Sequence, residues 1–149
     1  MNIVVDVQQA GNLQGPPDKD RISEWVKAAI EGLRNEAELT VRIVDEQEGA
    51  QLNERWRGGK GATNVLSFPA ADEFNLIPEL LGDIVICAPV VEKEAREQAK
   101  APEAHWAHMV IHGTLHLLGY DHRDDEEAEI METLEINRLR KLGYDNPYS

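Results

Sequence analysis

The stretch His112-Gly113-Thr114-Leu115-His116-Leu117-Leu118-Gly119-Tyr120-Asp121-His122 decides how the rest of this chain is read. His112 and His116 stand four apart, so on a helix they share one face with β-carbons about 5–6 Å from each other. A metal that takes nitrogens at about 2 Å can bridge such a pair without bending the helix. Gly119 is placed to end that helix in a left-handed conformation and to swing His122 back toward the other two histidines. Three imidazoles leave one tetrahedral position open, the coordination of a catalytic rather than a structural zinc.

The same spacing occurs in the metzincin peptidases, where the residue after the first histidine is a glutamate that takes a proton from water. Gly113 stands at that position here. The pattern therefore favours metal binding and disfavours peptide hydrolysis.

Upstream of the motif, Pro102 suits the first turn of a helix. On it His105, His108, His112 and His116 form one stripe, with Ala104, Ala107, Ile111, Leu115 and Leu118 largely on the other side. One face is expected to pack and the other to line a cleft. His105 and His108 lie too far along the axis to reach the same ion. His108, together with Asp121 and Asp83, is a candidate for the outer groups that orient the ligands. Downstream, Asp124 opens a last helix whose packing side carries Ala128, Met131, Leu134, Leu139 and Leu142, with Gly143 as its stop. Glu129, Glu132 and Glu135 read as its solvated face. Arg138, Arg140 and Lys141 read as surface or as weak strand contacts, as does Lys60. The tail from Tyr144 to Ser149 is expected to be loose.

Towards the N-terminus, Ile3, Val5 and Val7 predict a first strand, and Leu39, Val41 and Ile43 a second. Between them Ile22, Trp25, Val26, Ala29, Ile30 and Leu33 mark one face of a helix that follows Pro16-Pro17-Asp18. Gly11 to Pro17 is expected to be a loop. Asp45-Glu46-Gln47-Glu48 supplies a capping-box pattern for a short helix ending near Trp56. Arg55-Trp56-Arg57-Gly58-Gly59-Lys60-Gly61 reads as a glycine-rich basic loop but not a phosphate-binding P-loop, because glycine rather than serine or threonine follows the lysine and the earlier glycine spacing is absent. A third strand is expected over Thr63 to Phe68, stopped by Pro69, then a surface loop from Ala70 to Glu79 and a buried fourth strand from Leu81 to Ala88. Asp83 in that strand needs a partner, either as a structural acceptor or beside the metal. Pro89 opens a third helix carrying Val90, Val91, Ala95 and Ala99. The fold class is α/β: one domain over 1–149 with a small mixed four-stranded sheet and about five helices.

The bulk numbers narrow the function. With a formal charge of -13, binding to nucleic acid or to an anionic membrane by overall charge is excluded, so any such contact needs a local basic patch. The single cysteine, Cys87, excludes an internal disulfide framework and suits a reducing compartment. Its apolar neighbours make it a small buried side chain. No run approaches the roughly 20 apolar residues of a membrane span. The start lacks the basic region and apolar run of a signal peptide, so a cytoplasmic protein is expected.

Four stretches together resemble the YbeY family of bacterial endoribonucleases: Trp56-Arg57-Gly58, Thr63-Asn64-Val65-Leu66-Ser67-Phe68-Pro69, Leu81-Gly82-Asp83-Ile84-Val85-Ile86-Cys87 and the histidine motif. The resemblance implies one zinc ion on His112, His116 and His122, with Arg57 as the functional arginine. It also implies metal-dependent cleavage of single-stranded RNA, with ribosomal RNA as substrate in small-subunit 3′-end maturation and ribosome quality control. The ribosome or its small subunit and assembly factors would be the partners. In such a site the ion lowers the pKa of water to about 7, and Arg57 offers donors to the phosphate. The competing readings are a metzincin-like zinc protease and a non-catalytic ribosome-assembly module stabilised by zinc. Neither a nucleotide cofactor nor a membrane is implied.

Overall fold

The computed structural model describes residues 2–10, 13, 15–70 and 79–149. Among them, β1 (Asn2–Gln9), β2 (Glu36–Val44), β3 (Val65–Pro69) and β4 (Leu80–Cys87) form one sheet in the order β1-β2-β4-β3. β1, β2 and β4 are parallel, and β3 is an antiparallel edge strand. Five helices complete the fold: α1 (Lys19–Ile30), α2 (Glu46–Arg57), α3 (Ala88–Glu97), α4 (Pro102–Leu117) and α5 (Asp125–Lys141). The expected mixed four-stranded sheet with about five helices is what the described residues form.

Local chemistry sets the helix starts. Asp18, Asp45 and Asp124 each accept a hydrogen bond at 2.8 Å from the backbone N–H three residues on, satisfying a donor the first turn leaves unpaired. The capping box at Asp45 is only half closed. Glu48 turns its carboxylate to Arg42 instead, at 2.6 and 3.0 Å.

Alternation along the strands divides the core in two. Leu39, Val41 and Ile43 of β2 and Ile84 and Ile86 of β4 face α1, α4 and α5 in the larger cluster. Leu66, Val85 and Cys87 face the other way, toward Leu52 of α2. Cys87 is buried as its neighbours predict.

Two glycines set how closely the layers approach. Gly82 has φ +131°, and a β-carbon there would run into the Phe68 carbonyl, so it lets β3 lie against the irregular start of β4. Gly113 faces the sheet from α4, where a β-carbon would stand 2.9 Å from Ile84 Cγ2 and 3.1 Å from Val65 Cγ2. Ser67 Oγ donates to the Gly113 carbonyl at 3.1 Å and ties β3 to the helix at the same point. No glutamate fits where the peptidases carry their base.

Several expectations are corrected. β3 starts at Val65 rather than Thr63 and takes in Pro69, which an edge strand tolerates because one side needs no ladder donor. The loop expected over Ala70 to Glu79 lies largely outside the described residues, as do residues 11, 12 and 14 of the loop expected after β1. α4 is covered on nearly all sides, and the histidine stripe is divided: His105 and His108 are buried and border a cavity against the C-terminal tail, apart from the one that His112 and His116 line. Glu135 and Arg138 of α5 are buried too; Arg138 is neither surface nor a strand contact, but donates to the Glu31 carbonyl at the end of α1 at 2.9 Å. The C-terminal tail is tethered, with Lys100 Nζ donating to the Pro147 carbonyl at 2.8 Å.

Replacing Gly113 by alanine is expected to lower stability by up to about 2 kcal/mol, because overpacking of about 1–3 kcal/mol outweighs a gain of about 1 kcal/mol in helix propensity. Gly113→Glu should fail to fold rather than acquire peptidase activity. Thermal melts of both variants check this, and a higher Tm for the alanine variant would contradict the packing argument.

Candidate metal centre

The last turns of α4 carry His112 and His116, and the helix ends with a reversal built on Gly119 at φ +103°. Gly119 N–H donates to the His116 carbonyl at 3.0 Å and Tyr120 N–H to the Leu115 carbonyl at 3.1 Å, a closure that consumes two orphan carbonyls. The chain then runs back along the helix end and brings in His122. Ring centroids stand 4.7 Å apart for His112 and His116, 5.3 Å for His116 and His122, and 5.9 Å for His112 and His122. One ring nitrogen from each lies within 4.8 Å of the others.

Asp121 shapes the turn that presents the third histidine. Its carboxylate accepts from the His122 backbone N–H at 2.8 Å and from Arg123 Nε at 2.9 Å. Those two bonds, the backbone one first, hold its carboxyl below the usual range. The carboxylate also comes within 3.8 Å of His122 Nδ1.

Sequence reasoning missed Glu135. It is 1% exposed, and one of its oxygens, Oε1, meets His108 Nε2 at 2.5 Å, His112 Nδ1 at 3.2 Å and the Tyr148 hydroxyl at 3.0 Å. Burial alone would raise its pKa, but the hydrogen bonds of His108 and His112 more than offset that and hold it down at about 2. Burial and the Glu135 carboxylate push the Tyr148 phenol well above its ordinary value, so it remains a donor. A signal was present in the sequence: Glu135 stands four residues from both Met131 and Leu139, on the packing stripe of α5.

This carboxylate sets the role of His112. With Nδ1 directed at Glu135, Nε2 is the atom left for an ion, the carboxylate–histidine arrangement that raises ligand basicity. His108 reaches the site through Glu135 and through its ring, which stands edge-on to His112 with centroids 6.2 Å apart. The trio His108, His112 and Glu135 does not itself hold an ion, because two ligands at about 2.0–2.2 Å from one tetrahedral metal stand over 3 Å apart, farther than the 2.5 Å seen here. His116 has its pKa lowered, by burial first and by His112 next, which keeps its ligating lone pair free. The three-histidine donor set thus fits a zinc-like divalent ion.

Two further sequence candidates fall in different places. Arg57, the last residue of α2, lies over the Phe68 ring with its guanidinium carbon 5.0 Å from the centroid, and donates to the Ser67 carbonyl. It joins the three histidines, Asn64 and Arg123 in the wall of one cavity of about 620 Å³. Asp83 does not reach the histidines. It is exposed on the α2 side of the sheet beside Thr40 and Trp56, because strand alternation turns it away from Ile84 and Ile86, which face α4. His105, in turn, is held by Glu94 at 2.9 Å.

Comparison with known proteins places this arrangement. The family model described as Endoribonuclease YbeY matches residues 7–143. The chain belongs to the YbeY endoribonuclease family. Proteins named Endoribonuclease YbeY from Pseudomonas savastanoi pv. phaseolicola and Pseudomonas syringae pv. syringae are each 55% identical over 147 residues, covering 97% of this chain and 87% of theirs. A solution structure of a Thermotoga maritima protein is similar at a TM-score of 0.65 and 28% identity, covering 91% of this chain and 88% of that one. The family resemblance carried by the histidine motif and the strand segments therefore holds.

Glu135→Gln is expected to weaken Zn²⁺ affinity about 10- to 100-fold, the usual effect of losing an outer partner of a ligating histidine. Tyr148→Phe should shift affinity in the same direction by less. Chelator competition on folded protein measures both, and unchanged affinity in Glu135→Gln would remove its assigned role.

Proposed function

We propose that this chain, as a single domain, is a zinc-dependent endoribonuclease that cuts single-stranded ribosomal RNA. Its work would be 3′-end maturation of the small-subunit RNA and ribosome quality control in the cytoplasm, alongside the ribosome and its assembly factors. The observation that carries the reading is one cavity in which Arg57 faces three histidines able to close on one ion. Family membership supports the nuclease assignment. No described helix is long and apolar enough to cross a membrane.

His112, His116 and His122 would hold the ion, and Arg57 would bind the phosphate. When bound, a divalent ion there supplies Lewis-acid polarisation of a phosphate oxygen and lowers the pKa of water toward neutrality. Arg57 is held in advance by the Phe68 ring and the Ser67 carbonyl, so its remaining N–H groups meet the phosphate with little loss of side-chain freedom. Such donors stabilise charge as it builds on the phosphate. Glu135 keeps His112 in the tautomer with its proton on Nδ1. Arg57 in the cavity wall provides the local positive charge that an acidic chain needs to receive RNA, whereas Arg123 in the same wall is paired with Asp121. The peptidase alternative loses its base to the packing at Gly113.

Cleavage of an end-labelled single-stranded RNA by zinc-loaded protein tests the proposal. His116→Ala should abolish cutting, and Arg57→Ala should lower kcat about 10²- to 10³-fold while KM changes little. Arg57→Lys should restore little, since lysine lacks the planar fork. Equal cutting by wild type and both alanine variants would assign the activity to a contaminant, and unfolding on metal removal with Arg57→Ala fully active in cells would favour a zinc-stabilised assembly module.

A further inference from the structure

The far side of β3 carries a second cavity, of about 460 Å³, that the nuclease site does not use. Its apolar lining comes from Leu52 and Trp56 of α2, Phe68 of β3 and Val85 of β4. Trp56 is 59% exposed, the most exposed large apolar side chain among the described residues. Isolated exposed apolar residues are common, but this one has a specific setting. It is next in sequence to Arg57, and Phe68, which lines the same cavity, lies beneath the Arg57 guanidinium. Arg57 therefore sits at the edge strand with the histidine cavity on one side and the aromatic cavity on the other.

We propose that this cavity is a nucleobase subsite, taking one unpaired base of the single-stranded RNA next to the phosphate held by Arg57. The inference rests on the nuclease reading given above. Trp56 and Phe68 provide faces on which any base can stack. Arg55 lies over the Trp56 ring at 5.2 Å from its centre, as Arg57 lies over Phe68, so each ring has a cation on one face and offers its other face to the base. The polar wall suits the edge of a base rather than a phosphate. Asp83 offers acceptors, Thr40 a hydroxyl, and Arg42 is already neutralised by Glu48 at 2.6 Å. A phosphate would meet two carboxylates there, whereas the N–H groups of a base find partners. The cavity also supplies a physical reason for cutting only single strands: a base stacked and paired in a duplex cannot turn out into it without unstacking.

The test uses full-length zinc-loaded protein and a short single-stranded RNA with a mapped cut, made intact or with one abasic nucleotide on either side of the cut. Trp56→Ala is expected to raise KM for the intact strand about 5- to 20-fold, the scale of losing one base–aromatic stack, with Trp56→Phe restoring most of it. One abasic position should weaken the wild type to a similar degree and add little in Trp56→Ala, the non-additivity of partners that touch. The subsite is overturned if Trp56→Ala cleaves the intact strand like wild type, or if the abasic effects are the same in both proteins. If wild type cuts none of the strands, the nuclease reading itself fails and the subsite falls with it.

Discussion

The contact between α4 and the β3–β4 pair at Gly113 is the constraint on which the site depends. With no side chain at that position, the helix lies close enough for Ser67 to bond its backbone, and His112 emerges beside the edge strand instead of inside the core. The edge strand in turn holds Arg57 through the Ser67 carbonyl and the Phe68 ring. One close approach thus sets the distance between a cation from α2 and three histidines at the end of α4. The same approach excludes the glutamate that would make this spacing a peptidase's.

A second constraint is electrostatic. A carboxylate as buried as Glu135 is costly unless its charge is met by donors. His108 and His112 meet it from α4 and Tyr148 from the C-terminal tail. The arrangement does two things at once: it closes the core behind α4, and it orients the ring nitrogens of His112. The tail is therefore part of the support of the site, fastened at Lys100 as well as at Glu135.

The acidic charge of the chain need not conflict with an RNA substrate. Charges beyond about 8–10 Å are largely screened at physiological salt, so the local balance matters more than the total. Acidic side chains crowd the start of α5, whereas Arg57 stands in the wall of the histidine cavity, where Arg123 offsets the carboxylate of Asp121.

The sequence by itself determined the element types, the capping aspartates, the glycine reversal and the three histidines, because each is a local matter of period, spacing or backbone conformation. It also located Arg57, through family resemblance. Only the tertiary structure decided where long-range partners fall. Asp83 looked like a candidate for the metal's surroundings, and strand alternation turned it to the opposite face. Glu135 and Arg138 looked like surface, and the packing of α5 on α4 and α1 buried them. Tyr148 sits in a short polar tail without periodicity, and its bond to Glu135 spans 13 residues and a chain reversal. Such contacts depend on which surfaces meet when helices pack, and residue spacing within one element carries no record of that.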